Sequence, residues 1–523
     1  MEPSNVSSPV RLTELAGQFD LKAVGGDPQV FGLTEDSRSV RPGDIFAAIK
    51  GLGSDGRDYI DRARDAGAAA VMLEEPDLPV GPRLLFSGKS GFRPAVSRVA
   101  RTVYGCPDQK LALVGLTGTN GKSSIAYLLE DIFREHGLLT GIIGTVNYRW
   151  PGQVREALNT TPEGPLLYRT LAEMVSDGCR TVVMEVSSHA LELGRVEGLE
   201  FSLALFTNLT QDHLDFHLNF DNYFAAKKKL FTRHLKKDGA VRAAVGVDDP
   251  YGSALKKELG SSAYGYGLTS EADIKGCDLS CSLSGIRLAV QTPWGGWEQD
   301  SPLIGSFNAL NILGAVTVAG LAGVPAETVK KALARAAGAP GRLEKVSGPD
   351  GCLILVDYAH TPAALETALT ALRELNPGRL LVLFGCGGDR DRLKRPLMGM
   401  AAGSLADLTV LTSDNPRTED AQAIIRDAQA GLDSLLIPEL DGKTAAGAFR
   451  GYLVEPDRRA AIFLAVSLLR KNDILLIAGK GHEDYQIIRR TKIPFDDRLV
   501  AKEALEKFGP NSVKKAEVHE HGT

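Results

Sequence analysis

What this sequence lacks narrows the field before any motif is read. Its six cysteines, Cys106, Cys179, Cys277, Cys281, Cys352 and Cys386, are scattered over 523 residues, with neither metal-ligand spacing nor the density of a secreted disulfide framework. Cys277 and Cys281 form a lone C-x3-C without a second pair, so free thiols in a reducing cytoplasm are expected. Neither sign of charge is in excess. The 65 acidic and 60 basic residues leave a net charge of −5, which gives no footprint for nucleic acid or an anionic membrane. No apolar segment flanks Arg11, the first basic residue, so no signal peptide is expected. Residues 301–326 carry no charge, yet Ser306, Asn308, Asn311, four glycines and Pro325 interrupt them, which predicts a buried helix rather than a membrane span.

What is present is ordinary globular composition, 43% hydrophobic and 24% charged, in a chain long enough for about three or four domains. Glycine is the outlier: 56 of 523 residues is about 11%, against a usual share of about 7%. Residues 44–49 and 69–73 read as strands with a helix from Arg57 between them. After a break at residues 104–107, an apolar strand at 110–116 runs into a glycine-rich turn. Ile125, Leu128, Leu129, Ile132 and Phe133 then follow the spacing of an amphipathic helix stopped by Gly137. Strands at 141–146, 181–186 and 203–207 continue the alternation expected of a largely parallel sheet, and the charge-free helix closes that region. From Gly341, strands at 353–356, 380–384, 408–412 and 474–478 alternate with helices at 362–372 and 419–432, a second doubly wound α/β pattern. The last dozen residues, with Lys514, Lys515, His519 and His521, read as a polar tail. The expected fold class is thus α/β, with domains at 1–107, 108–340 and 341–523.

The strongest motif is Gly115-Leu116-Thr117-Gly118-Thr119-Asn120-Gly121-Lys122-Ser123, between a strand and a helix. Its glycines let backbone N–H groups close on phosphate oxygens, Lys122 supplies a cation, and the Ser123 hydroxyl suits Mg²⁺, so an ATP or GTP site is expected. The spacing departs from the standard phosphate loop, with five residues rather than four between Gly115 and Gly121. Glu185 ends the next strand and offers a hard oxygen ligand for Mg²⁺. Ser187, Ser188 and His189, then residues 207–215 with His213, form two polar loops at neighbouring strand ends. Lys227-Lys228-Lys229, taken alone, reads as a solvated helix face.

Together, residues 118–123, Glu185-Val186-Ser187-Ser188-His189, residues 207–215, Tyr223-x-x-Ala226-Lys227, Gly341-Arg342-Leu343-Glu344 and Asp357-Tyr358-Ala359-His360-Thr361-Pro362 resemble the Mur ligases of peptidoglycan synthesis. The resemblance runs from Asp36-Ser37-Arg38 to Gly479-Lys480-Gly481-His482-Glu483. It implies an N-terminal domain for a uridine nucleotide, a central phosphate-loop ATPase and a C-terminal Rossmann-like domain for an amino acid. It also implies ATP-driven amide formation through an acyl phosphate. ATP would be held by Gly118, Thr119, Asn120, Gly121, Lys122, Ser123, Asn308, Asn311, Arg342 and Asp357. Two Mg²⁺ ions would involve Ser123, Glu185, His213 and a Lys227 carbamylated by CO₂, with Lys122, Lys227 and His213 serving catalysis. Ser37, Asn159, Thr160, Thr161, Ser187 and Arg195 would take UDP-MurNAc-L-Ala-D-Glu. Residues 52–54 occupy the stretch where some relatives place other side chains on the uracil.

The C-terminal loops bear on which amino acid is added. Residues 385–390, Asp414-Asn415-Pro416-Arg417 and residues 479–483 each follow an apolar strand and should meet at one sheet edge. A guanidinium fork at Arg417 suits a carboxylate, which meso-diaminopimelate carries at its distal end and lysine does not. By resemblance, Arg390, Asp414, Asn415 and Arg417 hold that amino acid, with Gly479 and Glu483 on its distal ammonium. Without the resemblance, Arg417 reads as a loop cation pairing with Glu419 or Asp420. The alternatives are an L-lysine-adding ligase of the same family, a folylpolyglutamate-type ligase, or a phosphate-loop ATPase doing switch work. The implied partners are small molecules only, and the implied state is a cytoplasmic monomer.

Overall fold

The computed structural model describes residues 9–19, 21–51, 54–74, 81–88, 91–348 and 351–508. Leu52 and Gly53 of the uracil stretch and the polar tail with Lys514, Lys515, His519 and His521 lie outside the described residues. The chain divides into two compact units, one of Met1–Cys277, Val290–Trp297 and Leu310–Leu333, the other of Asp278–Ala289, Glu298–Ala309 and Ala334–Thr523.

The first unit carries two sheets. Strands β1 (Leu21–Val24), β2 (Gly32–Thr34), β3 (Asp44–Ala47), β4 (Ala70–Leu73) and β5 (Arg83–Phe86) form a sheet in the order β1-β5-β4-β3-β2, parallel except for β1. Helix α1 (Phe92–Val103) follows and packs on α3 of the next region (Gly164–Ser176). Ser97 on α1 donates a 2.9 Å hydrogen bond to the Gly194 carbonyl. One hydrophobic core runs without a break from Leu12 to Ala263, so packing continues across residue 107.

The second sheet of this unit is built on β6 (Ala112–Thr117), the strand before the phosphate loop, and helix α2 (Lys122–Glu135) after it. Strands β7 (Thr140–Ile143), β8 (Asn147–Trp150), β9 (Gln153–Glu156), β10 (Thr181–Glu185), β11 (Leu203–Phe206), β12 (Ala243–Gly246), β13 (Ala263–Gly267) and β14 (Ile274–Ser282) assemble with it in the order β9-β8-β7-β10-β6-β11-β12-β13-β14. The run from β7 to β14 is parallel and β8–β9 is an antiparallel hairpin at its edge. That hairpin is absent from the sequence pattern because Gln153, Arg155 and Glu156 leave no apolar face to read. Strand β7 stops at Ile143, short of the predicted 146, as the chain turns at Gly144 beside the Glu185 carboxylate.

The charge-free stretch forms helix α4 (Phe307–Leu321), shorter than the apolar run, and no helix among the described residues is long and apolar enough to cross a membrane. It does not end the region, because Ala326–Leu333 is a further helix packed on α2. All six cysteines are free thiols.

The second unit is built on β15 (Glu344–Ser347), β16 (Leu353–Asp357), β17 (Leu380–Phe384), β18 (Leu408–Leu411), β19 (Gly451–Val454) and β20 (Ile474–Ala478), in the order β15-β16-β20-β17-β18-β19. All pairs are parallel but the first. Its central strands β17 and β20 are apolar at every position, and β16 at every position before Asp357, because both faces are covered. Leu353, Leu355, Leu380, Val382, Leu476 and Ala478 enter one core, and the alternate residues Ile354, Val356, Leu381, Leu383, Leu475 and Ile477 enter the other. The helix predicted from Glu419 starts at Ala421, since Asp420 accepts from the Gln422 N–H and caps it.

Arg458 and Asp497 form an ion pair at 2.7 Å with both side chains at 0% exposure. Arg458 also donates to the carbonyls of Ser413 (3.4 Å) and Ala478 (3.0 Å), joining the ends of β18 and β20. Substituting Arg458→Met is expected to leave the Asp497 charge uncompensated and cost about 3–5 kcal/mol. Urea denaturation measures this, and an unchanged midpoint would contradict the clamp.

Candidate active site

In the first unit, strands β10, β6 and β11 are adjacent and parallel, so the loops leaving their carboxyl ends meet. The phosphate loop is stapled to the Thr207–Thr210 segment. Thr119 N–H donates to the Asn208 carbonyl (2.8 Å), Asn120 N–H to Asn208 Oδ1 (3.0 Å), Asn120 Nδ2 to Thr210 Oγ1 (3.1 Å) and Thr210 N–H to Thr119 Oγ1 (3.0 Å). Gly118 has φ +132° and a Cβ there would lie 1.9 Å from Thr207 Oγ1, so only glycine fits this approach. A Cβ on Gly121 would lie 2.4 Å from Asn311 Oδ1, which places Asn311 directly behind the loop. Lys122 Nζ curls back to the carbonyls of Gly118 (2.9 Å) and Thr119 (2.7 Å).

Glu185 is 2% exposed and fully hydrogen-bonded. Ser123 Oγ (2.8 Å) and Thr145 N–H (3.0 Å) donate to its Oε1, and Thr145 Oγ1 (3.0 Å) to its Oε2. A buried carboxylate beside a serine at a helix start is a hard-oxygen donor set that suits Mg²⁺. Among the described residues no three His, Cys, Asp or Glu side chains cluster as a metal site. Lys227, also 2% exposed, donates to the Gly118 carbonyl at 2.7 Å, and its ammonium lies 4.4 Å from the Tyr223 ring centre. Burial and nearby Lys122 push its pKa well below the ordinary lysine value, against the opposing pull of Asp212. The lysine run is therefore not one solvated face: Lys227 points inward while Lys228 and Lys229 pair with Glu258 and Glu192.

His213 adopts φ +54° and its ring lies 6.2 Å from Tyr223 and 4.7 Å from His189. Burial holds His213 below its ordinary pKa, with Lys227 and Lys122 adding and Asp212 opposing. Tyr223 hydroxyl reaches Thr119 Oγ1 at 3.2 Å, so His213, Lys227 and the phosphate loop surround one ring.

Thr161 Oγ1 donates to the Glu185 carbonyl (2.8 Å) and accepts from Ser187 N–H (3.0 Å), while Thr160 Oγ1 is 3.0 Å from Thr145 Oγ1. Arg195 donates to the Thr161 carbonyl (3.0 Å) and pairs with Glu163 (2.8 Å), and its buried Nε has no hydrogen-bond partner. The Asn159 carbonyl accepts from the Tyr148 hydroxyl at 2.5 Å. Ser187 spends its hydroxyl capping Ala190 N–H (3.2 Å). Ser37 is buried at the carboxyl end of β2 and takes no part in this network.

In the second unit, β16, β20, β17 and β18 are neighbours, and their carboxyl-end loops converge. Asn415 Nδ2 donates to Glu483 Oε2 (2.9 Å), and Asn415 Oδ1 accepts from Ile487 N–H (2.8 Å). The Asp414 Oδ1 atom is buried without a hydrogen-bond partner. Arg417 donates to the Gly388 carbonyl at 2.7 Å from a left-handed backbone, φ +52°. It does not pair with Glu419 or Asp420. Glu419 is taken by Arg395 (2.8 Å) and Arg392 (2.9 Å), hydrogen bonds from Arg395 and the Asp389 N–H pull its carboxyl down to about 2, and Asp420 faces Arg426 at 3.7 Å. Arg417 thus has no carboxylate partner among the described residues, and neither has exposed Arg390, which reaches only the Asp389 carbonyl (3.4 Å).

Gly388 lets this loop touch its neighbour, since a Cβ would lie 1.9 Å from the Pro416 carbonyl. Gly479 has φ +113°, which favours glycine, and lies beside the Asp414 carboxylate, 3.7 Å from where a Cβ would stand. Asp357 accepts from Leu343 N–H and Ala359 N–H, both 2.7 Å, closing the Arg342 loop onto β16. Arg342 stacks 5.0 Å over Tyr358 and its buried Nε has no hydrogen-bond partner. Asn308 Nδ2 donates to the Ile304 carbonyl (2.7 Å), in the segment that leads into α4.

Three residues of these networks are absent from the expected sets. Thr145 and Asn208 orient Glu185 and the phosphate loop through backbone-scale contacts that no spacing reveals. Lys480 is fully buried among Asp414, Asn415 and Glu483, and its place in a glycine-flanked loop after an apolar strand was the available signal.

Family models agree with this layout. The Mur ligase middle domain matches residues 116–319, the Mur ligase glutamate ligase domain 341–481, and the Mur ligase family catalytic domain 29–89. The chain is 43% identical over 497 residues to UDP-N-acetylmuramoyl-L-alanyl-D-glutamate--2,6-diaminopimelate ligase of Geobacter metallireducens, covering 94% of this chain and 97% of the relative. It is 41% identical to the enzyme of that name from Geobacillus kaustophilus, covering 93% and 96%. A solved structure of a ligase with that name superposes with a TM-score of 0.66 at 30% identity, covering 95% of this chain and 99% of the other. A folylpolyglutamate synthase of Mycobacterium tuberculosis with ADP shares the fold at TM-score 0.58 and 18% identity. Relatives this similar span more than nine-tenths of the sequence and all three models fall on it in order, so the chain belongs to the Mur ligase family.

Proposed function

We propose that this chain is an ATP-dependent ligase of cytoplasmic peptidoglycan precursor synthesis. It joins meso-diaminopimelate to the D-Glu γ-carboxylate of UDP-MurNAc-L-Ala-D-Glu. The observation that carries the reading is that two guanidinium groups without carboxylate partners, Arg417 and Arg390, stand on the same group of strand-end loops as two carboxylates, the buried Asp414 and the half-buried Glu483. That set complements an amino acid whose far end bears both a carboxylate and an ammonium. The relatives named for this reaction support it, and so do models falling within the domains 1–107, 108–340 and 341–523.

The carboxylate of the nucleotide substrate takes the γ-phosphoryl group of ATP, giving an acyl phosphate and ADP. The diamino acid's amine then forms the amide, releasing phosphate and a proton. The Thr119 and Asn120 N–H groups are committed to Asn208, so the N–H groups at the start of α2 would meet the phosphates, and Lys122 can turn from its own loop carbonyls to their oxygens. Ser123 and Glu185 would hold one Mg²⁺, and Glu185 and His213 a second; bound there, the ions would offset phosphate charge. Thr145 keeps Glu185 aimed. Asn308, Asn311, Arg342 and Asp357 serve the nucleoside end, and Ser37, Asn159, Thr160, Thr161, Ser187 and Arg195 the UDP-linked substrate.

Lys227 carries a carbamate, formed when its neutral amine adds CO₂ and loses a proton. Its pKa, pushed well below the ordinary lysine value by burial and Lys122, supports this, because it enlarges the share of neutral amine. Labelled ¹³C-bicarbonate is expected to give a carbamate NMR signal in the native protein that Lys227→Ala lacks, with activity that bicarbonate fails to restore. Full activity in that variant would overturn the assignment.

Phosphate release from ATP is expected with UDP-MurNAc-L-Ala-D-Glu and meso-diaminopimelate, and not with folate and glutamate. Equal turnover with L-lysine or ornithine would refute the amino-acid assignment. Arg417→Ala is expected to raise KM for meso-diaminopimelate about 30-fold, worth about 2 kcal/mol, while KM for ATP stays unchanged. An unchanged KM for the amino acid would remove Arg417 from the site.

A further inference from the structure

Lys480 is the one fully buried ammonium beside the amino-acid loops among the described residues, at 0% exposure. Its Nζ lies 3.0 Å from Glu483 Oε2, 3.4 Å from Asn415 Oδ1 and 3.6 Å from Asp414 Oδ1. An ammonium has three donors and no acceptor, and these three oxygens surround it. They belong to residues proposed above to grip the incoming amino acid. Lys480 therefore holds the grip from within the protein.

Charge gives it a second task. The neighbouring Arg458 is matched by Asp497, at 2.7 Å with neither exposed. Among the described residues Lys480 is the one cation within ion-pair distance of the Asp414 and Glu483 carboxylates, and these three side chains together carry −1. Asp414 Oδ1, too far from Lys480 for a hydrogen bond, remains a buried acceptor with none. We infer that Lys480 is a positioning residue that fixes Glu483 and Asn415 and tunes the pocket to accept a single substrate ammonium, delivered to the open oxygen of Asp414. This rests on the amino-acid-binding reading of these loops.

The consequence is a pH dependence with a defined sign. The carboxylates must be ionised to bind an ammonium, so acid weakens binding. Removing Lys480 leaves two like charges together without their cation, which favours protonation of the pair and moves the acid limb of kcat/KM to higher pH. The neutral groups facing the pair cannot supply the lost cation near neutral pH, and the cations Arg458 and Lys394, which also act on it electrostatically, lie beyond ion-pair distance. Tyr358 and Cys386 are pushed up to about 12 by burial, and His482 is pushed down to about 4 by burial and Arg342. His360 is likewise held low by burial. Lys394 donates to the His360 carbonyl (2.8 Å), Arg458 is committed to Asp497, and Tyr485 presents its ring to Lys480 at 5.5 Å.

The test is the pH profile of amino-acid-dependent phosphate release by the full chain. Lys480→Met is expected to move the acid limb of kcat/KM for meso-diaminopimelate up by about one pH unit or more and to raise its KM at least tenfold, with KM for ATP unchanged. Adding Glu483→Gln to Lys480→Met should return the limb toward the native position, because one carboxylate then remains. Lys480→Arg keeps the charge and should keep the limb while raising KM, which preserves the test if the Met variant fails to fold. An unmoved limb in Lys480→Met, or equal losses for ATP and amino acid, would overturn the inference. Should the native chain use L-lysine instead, the diaminopimelate reading fails and the same shift, read with lysine, scores Lys480 independently.

Discussion

The constraint on which the rest depends is the parallel sheet covered on both faces. Every position in β17 and β20, and every position of β16 before its terminal Asp357, is spent on one core or the other, so no strand interior can carry chemistry. Polar groups can gather only where strands end, and parallel pairing puts those ends on one edge. The same holds in the first unit, where Thr117, Glu185 and Thr207 close three neighbouring strands and open the loops that meet around the phosphate loop.

At both edges the buried charges are organised so that function, rather than another side chain, uses the spare capacity. Glu185 is fully hydrogen-bonded to hydroxyl and backbone donors and faces no cation within the network that aims it. Lys122 and Lys227 rest on backbone carbonyls of the phosphate loop. Arg417 rests on the Gly388 carbonyl. Neutral partners hold such groups in place at modest energy and release them to a charged ligand at little cost. By contrast, the pairs Arg458–Asp497 and Arg379–Asp473 are closed, fully buried and devoted to holding strand ends together.

Much of this was legible in residue order. Strands 380–384 and 474–478 coincide with Leu380–Phe384 and Ile474–Ala478, since buried parallel strands are short apolar runs bounded by glycine or polar loops. The phosphate loop, Glu185 and His213 stand where their strand ends predict. The hairpin β8–β9 escaped notice because it lies at a sheet edge with a polar face. Arg417 read alone favoured pairing with Glu419, and that failed because Arg395, with a 1% exposed side chain, already claims the carboxylate. No local pattern announces a partner that comes from another helix.

By itself the sequence determined the alternation of elements, the edge at which the polar loops gather and the identity of the groups carried there, because those follow from apolar periodicity and strand-end chemistry. Tertiary structure alone decided which lysine of the run at 227–229 turns inward, which arginines remain without a carboxylate, and that Lys480 lies beneath Asp414, Asn415 and Glu483. The physical reason is that desolvation and charge pairing are set by neighbours far apart in the chain, and only packing brings those neighbours together.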